Sequence, residues 1–238
     1  MTLRAIVFDF DGVIADSEPL HFAAFRDILA EEGLTLSEAE YYARFLGLDD
    51  AGVFGSISAD WTAAHIGDMT ARKAVRLETL ERDRALLFPG ADAAIRRAAA
   101  AVPIAIASGA RNAEIRRVLD RSGLTSCFAA IVGADDTPRS KPAPDPYLFA
   151  IAQLGRAAGE PLDAAECVAI EDSCWGLESA HAAGLRTVAV AQTFGSAQLA
   201  AADLVIPSVA ALDVAVLRRL VSEQATPSRD AHPTRGTG

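Results

Sequence analysis

The sequence predicts an α/β fold: a doubly wound parallel sheet with flanking helices and an inserted all-helical cap. Three observations carry that reading. Short apolar runs of strand length recur along the chain, they are mostly separated by helix-length segments, and a long stretch after the first run has helical spacing with no convincing strand.

The first run, Leu3 to Phe8, is interrupted only by Arg4 and reads as a strand buried on both faces. It leads into Asp9, Asp11 and Gly12 within AIVFDFDGVIAD. From about Asp16 to Leu87 the spacing is helical, with Phe22, Phe25, Ile28 and Leu29 on one face. Phe88, Pro89 and Gly90 then break the pattern and return the chain to the core. Further strands are expected at Pro103 to Ala107, Ala130 to Val132, Cys167 to Ile170, Thr187 to Val190 and Leu204 to Ile206. The expected organisation is a core of residues 1–15 and 88–221, a helical cap of residues 16–87, and a disordered tail of residues 222–238, rich in Pro, Thr, Arg and Gly.

Composition narrows the functional classes. The chain has 238 residues, 32 acidic against 22 basic, and a formal net charge of -10, which disfavours a nucleic-acid partner. Cys127, Cys167 and Cys174 form an odd set without the spacing of a zinc knuckle or a disulfide framework. No secretory pattern opens the chain and no apolar run approaches the ~20 residues needed to span a bilayer. The expectation is a soluble, cytoplasmic protein with no membrane partner, either a monomer or a homodimer.

Four segments carry chemistry. Asp9 and Asp11 sit where the first strand runs out, two residues apart and therefore on one side of an extended backbone. Ligand crevices in open α/β sheets lie outside such strand ends, and two adjacent carboxylates call for a cation or a proton. An Asp-Gly turn closing a hairpin fits the same residues. The second strand ends on Ser108, Gly109 and Ala110, followed by Arg111 and Asn112 as a helix begins, which offers either an anion site or an ordinary serine cap. Lys141, fixed by Pro142, is either a solvated charge or one that reaches inward to a phosphate oxygen. In VAIEDSCWG another strand ends on Glu171 and Asp172, which completes an oxygen-rich set suited to Mg²⁺. Zinc is disfavoured, because His21, His65, His181 and His232 show no ligand spacing. Trp61 and Trp175 read as packing residues.

The ordered set DFDGV, ASG, SKP and IEDS resembles the haloacid dehalogenase superfamily, specifically its phosphatases and phosphomutases with a helical cap after the first motif. The resemblance covers nearly the whole chain except the tail, and it implies a Rossmann-like core. It makes Asp9 the nucleophile that becomes an aspartyl phosphate, and Asp11 the general acid and base. Ser108, Gly109, Asn112 and Lys141 become the phosphate-binding set. Asp9, the backbone carbonyl of Asp11 and Asp172 become Mg²⁺ ligands, with Glu171 either a direct ligand or one acting behind them. The segments DGVIADSEPLHFAAF and KPAPDPYLFA are similar to the branch holding beta-phosphoglucomutase and phosphoglycolate phosphatase-like enzymes.

Ser17, His21, Gly47 and Lys73 are candidate cap or substrate contacts, as are Arg44 and Arg72. His21 either couples cap closure to Asp11 or is simply a partly buried helix residue. In the mutase, a cap arginine grips the second phosphate, and the corresponding stretch here is Gly47, Leu48, Asp49, Asp50. An acid there repels a second phosphate. The expected function is a Mg²⁺-dependent phosphatase acting on a small phosphorylated metabolite such as a sugar phosphate or phosphoglycolate. The alternatives are a phosphosugar mutase and, from a different class, a noncatalytic phosphometabolite-binding protein.

Overall fold

A computed structural model describes residues 1–45, 48–82 and 84–223. Six strands, β1 Ala5–Phe8, β2 Ile104–Ala107, β3 Ala130–Val132, β4 Cys167–Glu171, β5 Arg186–Val190 and β6 Leu204–Ile206, form one parallel sheet in the order β3-β2-β1-β4-β5-β6. After β3 the chain crosses back to the other side of β1, so the winding reverses there and a crevice opens at the carboxyl ends of β1 and β4.

Every residue of β1, β2 and β4 is buried. Alternate side chains divide between two cores. Ile6, Phe8, Ile104, Ile106, Val168 and Ile170 face α5 (Ala91–Ala101), α6 (Asn112–Arg121) and α9 (Val214–Glu223). Ala5, Val7, Ala105, Ala107, Cys167 and Ala169 face α7 (Asp145–Ala158) and α8 (Cys174–Ala182). The small side chains on this second face leave room for the fully buried Tyr147 of α7.

Between β1 and α5 the named elements are all helices: α1 Glu18–Glu31, α2 Glu38–Arg44, α3 Asp50–Ile57 and α4 Ala63–Glu81. Side-chain caps start three of them, with Ser37, Asp49 and Thr62 accepting from the backbone N–H of Glu40, Gly52 and His65. Phe25, Ile28, Leu29, Tyr41, Phe45, Val53, Phe54 and Met69 form a separate apolar cluster here. The two crossings to the sheet pair with each other: Asp16 N–H donates to Leu86 O at 2.7 Å and Phe88 N–H to Ile14 O at 3.0 Å. Buried Glu81, at the end of α4, accepts from Arg117 of α6 at 2.7 Å.

The expected strands all form, β3 and β6 with the expected bounds and the other four with one end shifted by one or two residues. Helix α9 runs through Glu223, so Ser222 and Glu223 are helical rather than part of a tail. Residues 224–238, and Gly47, lie outside the described residues.

Ile170 sits in a central strand with no exposed surface. Ile170→Ala is expected to cost about 2–5 kcal/mol in urea denaturation, through lost burial and a residual cavity. A cost below about 1 kcal/mol contradicts this account of the core.

Candidate active site

The end of β1 is tied to β4, because Asp9 N–H donates to Ile170 O at 2.9 Å. The chain then turns tightly, with Ile14 and Ala15 N–H both returning to Phe10 O. Gly12 carries φ +76°, and a Cβ there would lie 1.9 Å from Asp172 Oδ2, so only glycine lets the two strand ends approach this closely. Gly176 does the same for the other acid of β4: its Cβ would fall 2.1 Å from the Glu171 carboxylate.

Lys141 joins the strand ends. Its Nζ lies 2.9 Å from Asp9 Oδ1 and 2.6 Å from Glu171 Oε1. Asp9 Oδ1 also accepts from Phe10 N–H at 2.7 Å. Glu171 is fully buried and wholly engaged, since Oε1 accepts from Tyr147 Oη at 2.7 Å and Oε2 from Asp172 N–H and Ser173 Oγ. Asp11 accepts a hydrogen bond from buried Ser17.

Of the four carboxylates gathered here, two, Asp9 and Glu171, pair with the one ammonium. Burial, then the Glu171 charge, pushes the Asp9 pKa up to about 6, with Lys141 opposing. Burial raises Asp11 well above the ordinary carboxylate value, with the Ser17 hydrogen bond opposing and Asp9 adding to the rise. Asp172 is raised well above it by burial, then by Asp9 and Glu171. Burial disfavours the Lys141 charge, yet Asp9 and Glu171 outweigh it and raise its pKa. Oxygens of Asp9, Glu171 and Asp172 lie within 4.8 Å of one another. An all-oxygen set with surplus buried negative charge suits a hard divalent cation such as Mg²⁺.

These groups open into a cavity of about 330 Å³, within the range of small-ligand sites. Ser108, Gly109 and Lys141 line its floor with Asp9, Asp11 and Asp172. Asn112 is not brought there: its backbone and side-chain amides donate to Asp135, and the side chain also to Asp136, so its donors are spent bracing the loop after β3.

The helices α1 to α4 supply the opposite wall. His21 lines the cavity and its Nδ1 lies 2.8 Å from Lys73 Nζ. Burial, then Lys73, holds the His21 pKa well below its ordinary value, so the ring is neutral and accepts from Lys73. Lys73 is completely buried behind the wall, donates to Asp50 Oδ1 at 2.7 Å and lies 4.7 Å from the Phe25 ring centre. Arg44 and Arg72 do not reach the cavity; they pair with Glu40 and with Glu31, Glu32 and Asp68.

Several site residues escape sequence reasoning. Tyr147 looks like an ordinary core residue of a helix. Gln192, just past β5, donates to Gly12 O at 2.9 Å and Val13 O at 3.0 Å, and so clamps the Asp11 loop. Trp175 packs edge-on against Phe194, and both also line the cavity.

Comparison with known proteins gives the family. A family model for haloacid dehalogenase-like hydrolases matches residues 3–184. The plasmid-borne protein CbbY of Cupriavidus necator is 34% identical over 214 residues, 82% of this chain and 80% of its own. Hexitol phosphatase B of Escherichia coli is 30% identical over 195 residues, 79% of this chain and 83% of its own. The beta-phosphoglucomutase structure from Clostridium difficile shares the fold, with TM-score 0.81 at 21% identity, over 94% of this chain and 99% of its own. The family model spans the strands that carry the acids ending β1 and β4 and the lysine between them, and the chain belongs to the haloacid dehalogenase-like hydrolases.

Proposed function

We propose that the protein is a Mg²⁺-dependent phosphatase acting on a small phosphomonoester, a sugar phosphate or a phosphoglycolate-like compound, through an aspartyl phosphate on Asp9. The observation that carries this reading is the pairing of two buried acids with opposite tasks. Asp9 is held by the Lys141 ammonium at 2.9 Å, whereas Asp11 is fixed by the neutral Ser17 hydroxyl and raised well above its ordinary value by burial.

In the first step an Asp9 oxygen bonds to phosphorus, the bond to the ester oxygen breaks, and the Asp11 proton passes to the departing alkoxide. In the second, Asp11 takes a proton from water, the water oxygen bonds to phosphorus, and the acyl phosphate bond breaks to free Asp9 and phosphate. Ser108, Gly109 and Lys141 hold the transferring group, and Glu171 fixes Lys141 with both of its own oxygens engaged. Asp9, Asp172 and the Asp11 carbonyl are the residues that would hold Mg²⁺, which when bound offsets the repulsion between carboxylate and phosphate.

Residues 16–87 act as the cap that encloses the leaving group and limits water. The phosphatase reading is preferred to the mutase because the cap offers Asp49 and Asp50 where a second phosphate would need a cation, and Lys73 is already paired with Asp50. A pure binding protein has no use for both Asp9 and Asp11. The site of action is inferred to be the cytoplasm, in keeping with three free thiols, Cys127, Cys167 and Cys174. None of the described helices is long and apolar enough to cross a membrane.

Phosphate release across a panel of small phosphomonoesters is expected to require Mg²⁺ and to fall at least about a thousandfold in Asp9→Asn, as befits loss of the nucleophile. Equal turnover in the mutant contradicts the role of Asp9.

A second expectation concerns stability without metal. The folded pKa of Asp9, about 6, lies above its ordinary 3.8, so stability from protonated Asp9 is full below about pH 4 and is lost as the pH rises through about 6. Asp172, raised in the same direction, acts with the same sign. Asp172→Asn is therefore expected to raise the Tm of the metal-free protein at neutral pH and to abolish the rise that Mg²⁺ gives the wild type. An unchanged Mg²⁺ response in thermal melts removes Asp172 from the metal set.

A further inference from the structure

Beyond the reaction centre, five acids line the cavity: Glu18, Asp49, Asp50, Glu114 and Asp135. Four are already engaged by the protein's own donors. Tyr41 Oη donates to Glu18, Gly52 N–H to Asp49 at 2.7 Å, Lys73 to Asp50 at 2.7 Å and Asn112 N–H to Asp135 at 3.0 Å.

Glu114 differs. It lies in the first turn of α6 with 7% of its surface exposed, and Oε2 accepts only a long bond of 3.4 Å from Arg111 N–H. Its other oxygen, Oε1, is buried with no hydrogen-bond partner among the described residues. Thr70 of α4 lines the same cavity from the cap, and its hydroxyl is likewise buried without a partner. Buried polar atoms left unpaired are costly and uncommon. Burial raises the Glu114 carboxyl above its ordinary value, with Lys73 opposing, so a hydroxyl delivered by a ligand would lower the cost of its charge.

The two unpaired atoms come from opposite walls, one from the core and one from the cap. We propose that Glu114 and Thr70 are the specificity pair of this enzyme, together accepting hydroxyl donors of an uncharged sugar or polyol leaving group, so that a leaving group bearing a second anion is disfavoured. This rests on the phosphatase reading and adds to it the chemistry of the leaving group and the residues that select it. A hydroxyl-bearing ligand completes both orphaned groups as the cap meets the core. A second phosphate would instead meet Glu114 and the already paired Asp50. Arg111, exposed at the rim, is the lining cation without an ion pair among the described residues, and it is the place where a second anion would have to bind.

The test uses the full chain with Mg²⁺ and three esters: a hexitol monophosphate, the corresponding bisphosphate, and p-nitrophenyl phosphate, whose leaving group carries no further hydroxyl. Wild type is expected to favour the monophosphate over the bisphosphate by about tenfold or more in kcat/KM. Glu114→Gln keeps the shape of the side chain, and it is expected to lower the ratio of kcat/KM for the hexitol ester to that for p-nitrophenyl phosphate by about tenfold or more. Thr70→Val is expected to lower the same ratio by a smaller factor. Equal losses on both esters, no change in the ratio, or a preference for the bisphosphate overturns the assignment, the last by moving recognition to Arg111.

Absence of turnover with all three esters, in protein that melts cooperatively, counts against the phosphatase reading alone. The pair is then judged by calorimetric binding of the hexitol monophosphate to Asp9→Asn, with and without Glu114→Gln. About a tenfold weaker Kd supports it, and an equal Kd overturns it.

Discussion

The structure turns on the ammonium of Lys141, placed between the acids that end two neighbouring strands. Without it, Asp9 and Glu171 would be like charges brought together inside a sheet buried on both faces. The rest of the site follows from serving that contact. Tyr147 reaches Glu171 because alanines and a cysteine on one face of the sheet let α7 come close. Gly12 and Gly176 are required because any side chain would collide with Asp172 or Glu171. The local charge is still unbalanced, and this surplus of negative charge suits a hard cation better than an apolar ligand.

The acids of the pair differ in environment more than in chemistry. Asp9 has a cation at hydrogen-bonding distance, whereas Asp11 has only a neutral hydroxyl and the neighbouring negative charge. On the proposed reading that contrast separates the nucleophile from the proton donor, and it arises from the partner each carboxylate meets, Lys141 for Asp9 and Ser17 for Asp11. The Gln192 amide, in the loop after β5, bonds two carbonyls of the Asp11 loop and so braces it.

Much of this was legible in the sequence because apolar runs and the acids that end them are local signals. The run Leu3 to Phe8 and its acids could be read together, and so could Cys167 to Ile170 with Glu171 and Asp172. What sequence missed depends on side chains meeting from distant segments. Asn112 follows the serine of the second motif and looked like an anion ligand, but it is taken up by Asp135 and Asp136 across the next strand. Arg72 looked available to substrate, yet α1 presents Glu31 and Glu32 to it. Conversely, nothing around Glu114 or Thr70 in the chain signals that each has a polar atom left without a partner. The helical spacing of the cap was clear, but which of its faces meets the core is a tertiary fact.

The central claim is that Asp9 carries the phosphoryl group between two displacements. The most direct measurement is rapid mixing of the protein with a turned-over phosphomonoester and Mg²⁺, followed by an acid quench and peptide mass spectrometry. The account predicts a phosphoryl group on the peptide containing Asp9, formed and lost at rates compatible with turnover and absent in Asp9→Asn. Turnover with no phosphorylated peptide, or with the phosphoryl group on another residue, would contradict it.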